Sequence, residues 1–235
     1  MSNYQRILLK VSGEALAGQT GFGVEPGRVD ALTAEIAEVV RAGVQIGIVV
    51  GGGNFFRGVA ETARRMDRVT ADQMGMLATV INALALQDSL ERQGIATRVM
   101  TAFAIQSVAE PYIRRRAIRH LEKGRIVIVA GGTSNPFFST DTAAALRALE
   151  IHAQLLAKAT RVDGVYDKDP LKHPEAVKYD EVSFQDFIEK RLGVMDASAV
   201  VMCRDHKLPI VVFNLNQHGN IMRVSMGDSV GTRIR

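Results

Sequence analysis

The chain has 235 residues, is 47% hydrophobic and 23% charged, and carries a formal charge of +4 with a pI near 9.4. That length suits one large α/β domain or two small ones, and the composition is ordinary for a well-packed globule, which excludes a disordered or low-complexity chain. The single cysteine, Cys203, excludes an intrachain disulfide framework and a cysteine-based metal site, and no uninterrupted apolar run approaches a membrane span.

Residues 1–6 lead into apolar Ile7-Leu8-Leu9, which Lys10 interrupts too soon for a signal peptide, so the expected compartment is the cytoplasm. Residues 6–11 read as a first buried strand, ended by Ser12-Gly13-Glu14 and followed by a glycine-rich connection over 17–27. Pro26 starts an amphipathic helix over 29–41, with Val29, Leu32, Ile36, Val39 and Val40 on its apolar side. Gly43 stops it, and 44–50 make a second strand, so the chain opens as the β-α-β unit of a parallel sheet. Gly51-Gly52-Gly53-Asn54 follows directly. The polar stretch 61–68 reads as a lid, 72–93 as a long helix, 95–100 as a strand and 111–122 as a helix.

The next segment is organised most sharply. Residues 126–130 are a β-branched run, as in a strand buried on both faces. They break at Gly131-Gly132, pass through a loop of hydroxyl residues, and reach Ser139-Thr140-Asp141 before an alanine-rich helix from 142 to 150. A strand, a glycine loop and a capped helix N-terminus are the ingredients of an anion site at a sheet's carboxyl end. Beyond it, the pattern predicts a strand over 151–156, a polar turn-rich loop over 158–170, helices over 184–190 and 196–206, and strands over 210–214 and 221–225. Residues 163–172 are a second candidate lid. No linker divides the chain, and the expected architecture is one α/β/α domain over 1–235.

Three glycine-containing loops each follow an apolar strand: Lys10-Val11-Ser12-Gly13, Gly51-Gly52-Gly53-Asn54 and Gly131-Gly132-Thr133. Glycine in one such loop need mean no more than a tight turn. Three on one edge of a parallel sheet favour a polyanion site, because backbone N–H groups there approach phosphate without a Cβ in the way. No glycine-lysine pair is followed by Ser or Thr, and the run at Gly51 lacks dinucleotide-fingerprint spacing. The densest basic cluster is Arg114, Arg115, Arg116, Arg119, His120 and Lys123; at helical spacing it spreads around the helix, which favours a solvated or subunit-facing helix over a nucleic-acid patch. The five histidines show no ligand-like spacing, so no protein-only metal site is expected.

The chain resembles the bacterial uridylate (UMP) kinases of the amino-acid-kinase superfamily over nearly its whole length. The resemblance is carried by residues 10–16 (KVSGEAL), 51–58 (GGGNFFRG), 66–69 with Asp72, 74–79 (MGMLAT), 109–116 (AEPYIRRR), the loop after residue 130, and 162–167 (VDGVYD). It implies a three-layer α/β/α sandwich with a mostly parallel central sheet, and transfer of the ATP γ-phosphoryl group to UMP in pyrimidine nucleotide biosynthesis. The amino-terminal part would mainly bind UMP and the carboxyl-terminal part ATP. It further implies that Lys10, Val11, Ser12, Gly13, Gly53 and Arg57 hold ATP phosphates, that Thr160, Tyr166 and Asp169 line the nucleoside pocket, and that Gly52, Asp72, Thr133, Ser134, Asn135, Pro136, Phe137, Phe138, Ser139 and Thr140 bind UMP. Lys10, Arg57 and Asp141 would be catalytic, with Mg²⁺ arriving on ATP. The family is typically a homohexamer activated by GTP and inhibited by UTP. The segment Gly18, Gln19, Thr20, Gly21, Phe22 and Gly23 matches the one associated with GTP, although a flexible surface loop has the same composition.

Near a helix start, Asp72 is expected to accept hydrogen bonds from ribose hydroxyls, cap the helix, or both. The acceptor phosphate has a second pKa of about 6 and is mostly a dianion at neutral pH, so no general base is needed. Asp141 is therefore expected to orient catalytic cations, Lys10 or Mg²⁺, rather than merely cap a helix, and Asp141→Asn is expected to lose more turnover than stability. Three departures from the family pattern stand out: Gln154 where aspartate is usual, Ala157 for a larger apolar residue, and Ser134 where glycine is common. They bear on packing beneath the ATP pocket and on loop flexibility. Two competing readings are a carbamate, glutamate or aspartate kinase on the same fold, and a nucleotide-sensing regulator acting through its basic surface.

Overall fold

The computed structural model describes residues 4–56 and 66–235. Strand β1 (Arg6–Val11), helix α1 (Pro26–Arg41) and strand β2 (Gln45–Val50) form the expected β-α-β unit, with Val11 beside Val50 in a parallel pairing. Then come α2 (Arg68–Arg92), β3 (Thr97–Thr101), β4 (Glu110–Pro111), α3 (Arg114–Glu122), β5 (Ile126–Ala130), α4 (Thr140–Glu150) and β6 (Leu155–Thr160). A hairpin of β7 (Val165–Tyr166) and β8 (Lys178–Tyr179) precedes β9 (Glu181–Val182), α5 (Phe184–Glu189), α6 (Ala197–Asp205), β10 (Ile210–Asn214), α7 (Asn220–Met226) and β11 (Thr232–Ile234).

The main sheet has nine strands in the order β4-β3-β5-β2-β1-β6-β10-β11-β9, and among the described residues only β10 and β11 pair antiparallel within it. Parallel strands covered on both faces are mostly apolar, which is why β1, β2 and β5 are largely Ile, Leu and Val, with buried Lys10 in β1 the exception. Alternate residues serve the two faces. Ile7, Leu9 and Val11 pack with α1, α2 and α7, whereas Leu8, Val127 and Val129 pack with α3, α4, α5 and α6. The result is the three-layer α/β/α sandwich. Truncating a fully buried member such as Leu86 to alanine is expected to cost about 2–5 kcal/mol.

Four expectations are corrected. The helix predicted from 111 begins at Arg114, because Glu110 and Pro111 pair with Met100 and Thr101 as the outermost strand, an edge position where proline's missing N–H is tolerated. The strand predicted over 151–156 starts at Leu155 and runs on through Thr160, so residues 158–160, expected at the start of a polar loop, are strand; residues 151–152 turn the chain out of α4, with His152 at φ +58°. Residues 221–225 are helical, not extended: Ile221, Val224 and Ser225 are buried at helical spacing, and left-handed Gly219 and Gly227 delimit the helix. The closing strand is instead β11. Finally, α2 begins at Arg68 with Asp67 as its cap, its carboxylate accepting from Thr70 N, so Asp72 sits a full turn inside and caps nothing. Of the first candidate lid, 61–65 lie outside the described residues, and Arg68 belongs to α2.

Helix α2 is long and apolar enough in composition to cross a bilayer. Here its Thr79, Asn82 and Ser89 are buried against the rest of the chain, while Met74, Leu77 and Ile81 on its outer face are exposed.

Candidate active site

The register of the parallel strands brings the three glycine loops together. Val11 lies beside Val50, and Val49 beside Val129, so Ser12, Gly51 and Gly131 leave neighbouring strands at one edge. Gly13 packs so closely that a Cβ there would lie 2.5 Å from both the Gly51 carbonyl oxygen and Asn54 Oδ1. Gly131 takes φ +83° and donates its N–H to Thr79 Oγ1 at 2.8 Å, a left-handed turn that favours glycine.

Two cavities open at this edge. The first, about 730 Å³, is lined by Ser12, Glu14, Gly18, Thr160, Arg161 and Asn216 among others. The Arg161 and Glu14 side chains form an ion pair within its wall. Gly18, Gln19 and Gly21 also line it, so the segment matched to GTP activation forms part of a cavity wall beside Ser12. The second, about 570 Å³, is lined by Gly52, Gly53, Asp72, Phe137, Phe138, Ser139 and Thr140, together with Asp196 and Ser198 of the α6 region. Asp72 pairs with Arg68 at 2.8 Å and accepts from Phe137 N at 2.7 Å, tying α2 to the loop after β5. Thr133, Ser134, Asn135 and Pro136 do not line that cavity. Thr133 and Asn135 hydrogen-bond one another, shaping the loop, and Ser134 adopts φ +69°, a conformation natural for the glycine common at that position.

Tyr166 and Asp169 line a third cavity of about 480 Å³ with Val162 and Val194, separate from the one that Thr160 lines. The Thr160 hydroxyl donates to Val162 O at 2.7 Å and so joins the two walls. Arg57 lies outside the described residues.

A buried charge cluster adjoins the first two cavities: Ala159 and Thr160, next to Lys158, line the first, and Thr140 and Thr142, flanking Asp141, line the second. Lys10 and Lys158 face each other across the β1–β6 pairing on the side covered by α4, and Asp141 enters from the first turn of α4. Lys10 Nζ is 2.7 Å from Asp141 Oδ1, and Lys158 Nζ donates to Asp141 Oδ2 and to the Val194 carbonyl. Asp141 is 8% exposed. Burial opposes its ionisation, but the Lys10 and Lys158 charges outweigh burial and hold its carboxyl below the usual carboxylate range. Burial pulls Lys158 below the usual lysine range, with Asp141 opposing that shift. The cap of α4 is Ser139, whose hydroxyl accepts from Asp141 N and Thr142 N, so capping does not explain Asp141. Lys158 was not among the residues the sequence singled out. Its signal was available: a lysine inside the run Leu-Leu-Ala-Lys-Ala, where a strand buried on both faces has no place for an unpaired charge.

The basic cluster of α3 is largely paired within the chain: Arg114 Nε donates to Glu150 O at 2.8 Å, Arg116 lies 3.8 Å from Glu110, and Arg119 lies 3.6 Å from Glu122. Gln154 Oε1 accepts from the backbone N–H groups of Gln5 and Arg6, and Ala157 is buried within β6. Neither departure disturbs the site edge. Among the described residues no group of three His, Cys, Asp or Glu side chains is placed to hold a metal ion.

The sequence profile of the amino acid kinase family matches residues 5–214. The chain belongs to the amino acid kinase family. Among solved structures, it is similar to a UMP kinase from Bacillus anthracis, with 40% identity, a TM-score of 0.95, and coverage of 99% of this chain and 96% of that one. A UMP kinase from Ureaplasma parvum matches at 32% identity and a TM-score of 0.91 over 98% of each chain. A uridylate kinase from Archaeoglobus fulgidus matches at 29% identity and a TM-score of 0.78, over 97% of this chain and 99% of that one.

Proposed function

We infer that this family member is a UMP kinase, transferring the γ-phosphoryl group of ATP to UMP to give UDP and ADP. The observation that carries the reading is a buried lysine–aspartate–lysine cluster whose chain neighbours line two cavities at the glycine-loop edge, in a chain similar over 99% of its length to a UMP kinase. The acceptor phosphate dianion attacks without a base. Asp141, ionised and engaged by two lysines, would in any case be a poor one. The work of the protein is alignment and charge neutralisation. Lys10 and Lys158 would meet the negative charge of the transferring group, and Asp141 keeps both ammonium groups at that point before substrate arrives. Anionic phosphates favour the charged form of Lys158 and offset the effect of its burial.

ATP phosphates would lie along Lys10, Val11, Ser12, Gly13, Gly53 and Arg57, with Thr160, Tyr166 and Asp169 toward the nucleoside. UMP would occupy the second cavity, against Gly52, Asp72 and residues 137–140, with residues 133–136 shaping the loop that carries them. Mg²⁺ bound to ATP supplies further neutralisation of phosphate charge. Both oxygens of Asp141 are engaged by lysines, so the residues fit an ion carried on phosphate better than one held by the protein alone.

The same reading makes the protein a cytoplasmic homohexamer of pyrimidine nucleotide biosynthesis, activated by GTP and inhibited by UTP. The exposed Met74, Leu77 and Ile81 on α2 support burial of that face in an assembly. The decisive experiment offers purified protein ATP·Mg²⁺ with UMP, CMP, aspartate or carbamate and measures ADP release. Release with UMP far above the others is expected; none with UMP would refute the assignment.

A further inference from the structure

The inner face of α2 reaches the loops after β5 and β2. Asp72 accepts from Phe137 N, Thr79 accepts from Gly131 N, and one helical turn further Asn82 reaches the loop after β2. Asn82 is fully buried, and Asn54 is 1% exposed. The two side-chain amides bond reciprocally: Asn82 Nδ2 donates to Asn54 Oδ1 at 2.7 Å, and Asn54 Nδ2 donates to Asn82 Oδ1 at 2.9 Å. The remaining proton of Asn82 goes to the Gly51 carbonyl at 2.7 Å, and that of Asn54 to the Gly23 carbonyl at 2.7 Å. Gly23 N returns a bond to Asn54 O at 2.9 Å. Every amide proton of the pair is used.

Two buried amides cost free energy unless fully bonded, and an apolar pair of similar size would fill the same space without that demand. An apolar pair cannot fix the direction of a peptide unit. The Gly51 carbonyl and the Gly52 N–H belong to one planar trans peptide and point in opposite directions. Holding the carbonyl toward α2 therefore turns the Gly52 N–H away from it. Gly52 is buried, it lines the second cavity, and among the described residues its N–H has no acceptor, which is rare for a buried donor.

We propose that Asn82 is a positioning residue for phosphoryl transfer: by fixing the Gly51 carbonyl, with Asn54 as its brace, it aims the Gly52 N–H at a phosphate oxygen of the acceptor nucleotide. The proposal rests on reading the second cavity as the UMP site. The loss of one donor aimed at a charged phosphate is expected to weaken binding about 10-fold, equal to about 1.4 kcal/mol.

The test is calorimetric titration of UMP and, separately, of ADP·Mg²⁺ into the wild-type protein, Asn82→Ala and the isosteric Asn82→Asp, each checked for folding by thermal melt. The expected result is a UMP Kd raised about 10-fold in both variants with the ADP Kd changed less than about 2-fold. A lowered melting temperature with both Kd values unchanged, or both raised equally, would overturn the proposal by making the pair a purely structural filler. Failure of both variants to fold would do the same. Wild-type protein that does not bind UMP would overturn the functional reading together with this inference; wild-type binding matched by the variants overturns the inference alone.

Discussion

Asp141→Asn tests the centre of the site. The substitution keeps the shape of the side chain and removes the one negative charge between Lys10 and Lys158. At the 2.7 Å separation from Lys10, Coulomb's law with an effective dielectric constant of ~20 gives about 6 kcal/mol before desolvation is subtracted. Breaking a buried pair by removing one partner costs about 3–5 kcal/mol in practice. Lys158 softens the loss, because burial already lowers its pKa and it can shed its proton instead of remaining an unpaired charge. A stability loss of about 2–3 kcal/mol follows, larger than a helix-cap substitution would give. Turnover is expected to fall by about 10²–10³, because both ammonium groups lose their common anchor.

The pH dependence carries a sign of its own. Asp141 titrates below its ordinary 3.8 when folded, so its contribution is present above that value and is lost as pH falls through the lower folded value. Lys158 titrates below its ordinary 10.5 when folded, so folding is favoured as pH rises toward that value. The gap in melting temperature between wild type and Asp141→Asn should therefore be widest at neutral pH and narrow toward both ends. Thermal melts and coupled ADP release measure the two quantities. Lys158→Met in the Asp141→Asn background should recover part of the stability and none of the turnover. Near-normal turnover for Asp141→Asn, with only a lowered melting temperature, would refute the reasoning.

Gly13→Ala should cost at least about 1–3 kcal/mol by overpacking and raise the KM for ATP, because its Cβ would meet the backbone oxygen of Gly51 at 2.5 Å; an unchanged melting temperature would show that the loops can part. Ser134→Gly should raise stability by up to about 1 kcal/mol, since relief of left-handed strain of about 1–2 kcal/mol exceeds the added unfolded-state entropy of about 0.4–1 kcal/mol. A lowered melting temperature would contradict that balance. Cys203 is buried and its thiol is pushed up to about 12 by burial, so the folded protein holds it as the neutral thiol. A disulfide reagent near pH 8 should label it only on unfolding; rapid stoichiometric labelling of the native protein would contradict its placement.

The parts of the fold legible in sequence were those where local pattern and global burial agree. β1, β2 and β5 are predominantly apolar because they are covered on both faces, and α1 shows its stripe because only one side is covered. The errors fall where tertiary context overrides local preference. Residues 220–226 contain Ile, Val and Ser, unremarkable for a strand, yet α7 forms because Ile221 and Val224 meet the sheet together with α1. Glu110 and Pro111 extend only because β3 offers an edge. At the site, glycine loops and hydroxyls were legible because their chemistry is local. Asn82 was not, because it matters through the Gly51 carbonyl, far away in sequence; Lys158 showed only as a lone charge in an apolar run, its partner Asp141 lying seventeen residues away.

That division bears on how the site works. Two lysines and one aspartate leave the cluster with a single net positive charge at rest. Asp196 also acts on Lys158 through space, more weakly than Asp141, whereas a second carboxylate in direct contact would neutralise the cluster and weaken its hold on phosphate. With none, the buried Lys158 would lose its proton and with it half the cationic strength of the site. One shared aspartate is the count that keeps both ammonium groups charged and still in deficit, so that the incoming phosphates complete a charge balance the protein leaves open. The carboxylate is placed by α4, the lysines by β1 and β6, and the loops facing them by α2 through Asp72, Thr79 and Asn82. Charge is thus set on one face of the sheet and backbone direction on the other, which allows the two to be perturbed separately: a change at Asp141 should strike turnover first, and a change at Asn82 acceptor binding first.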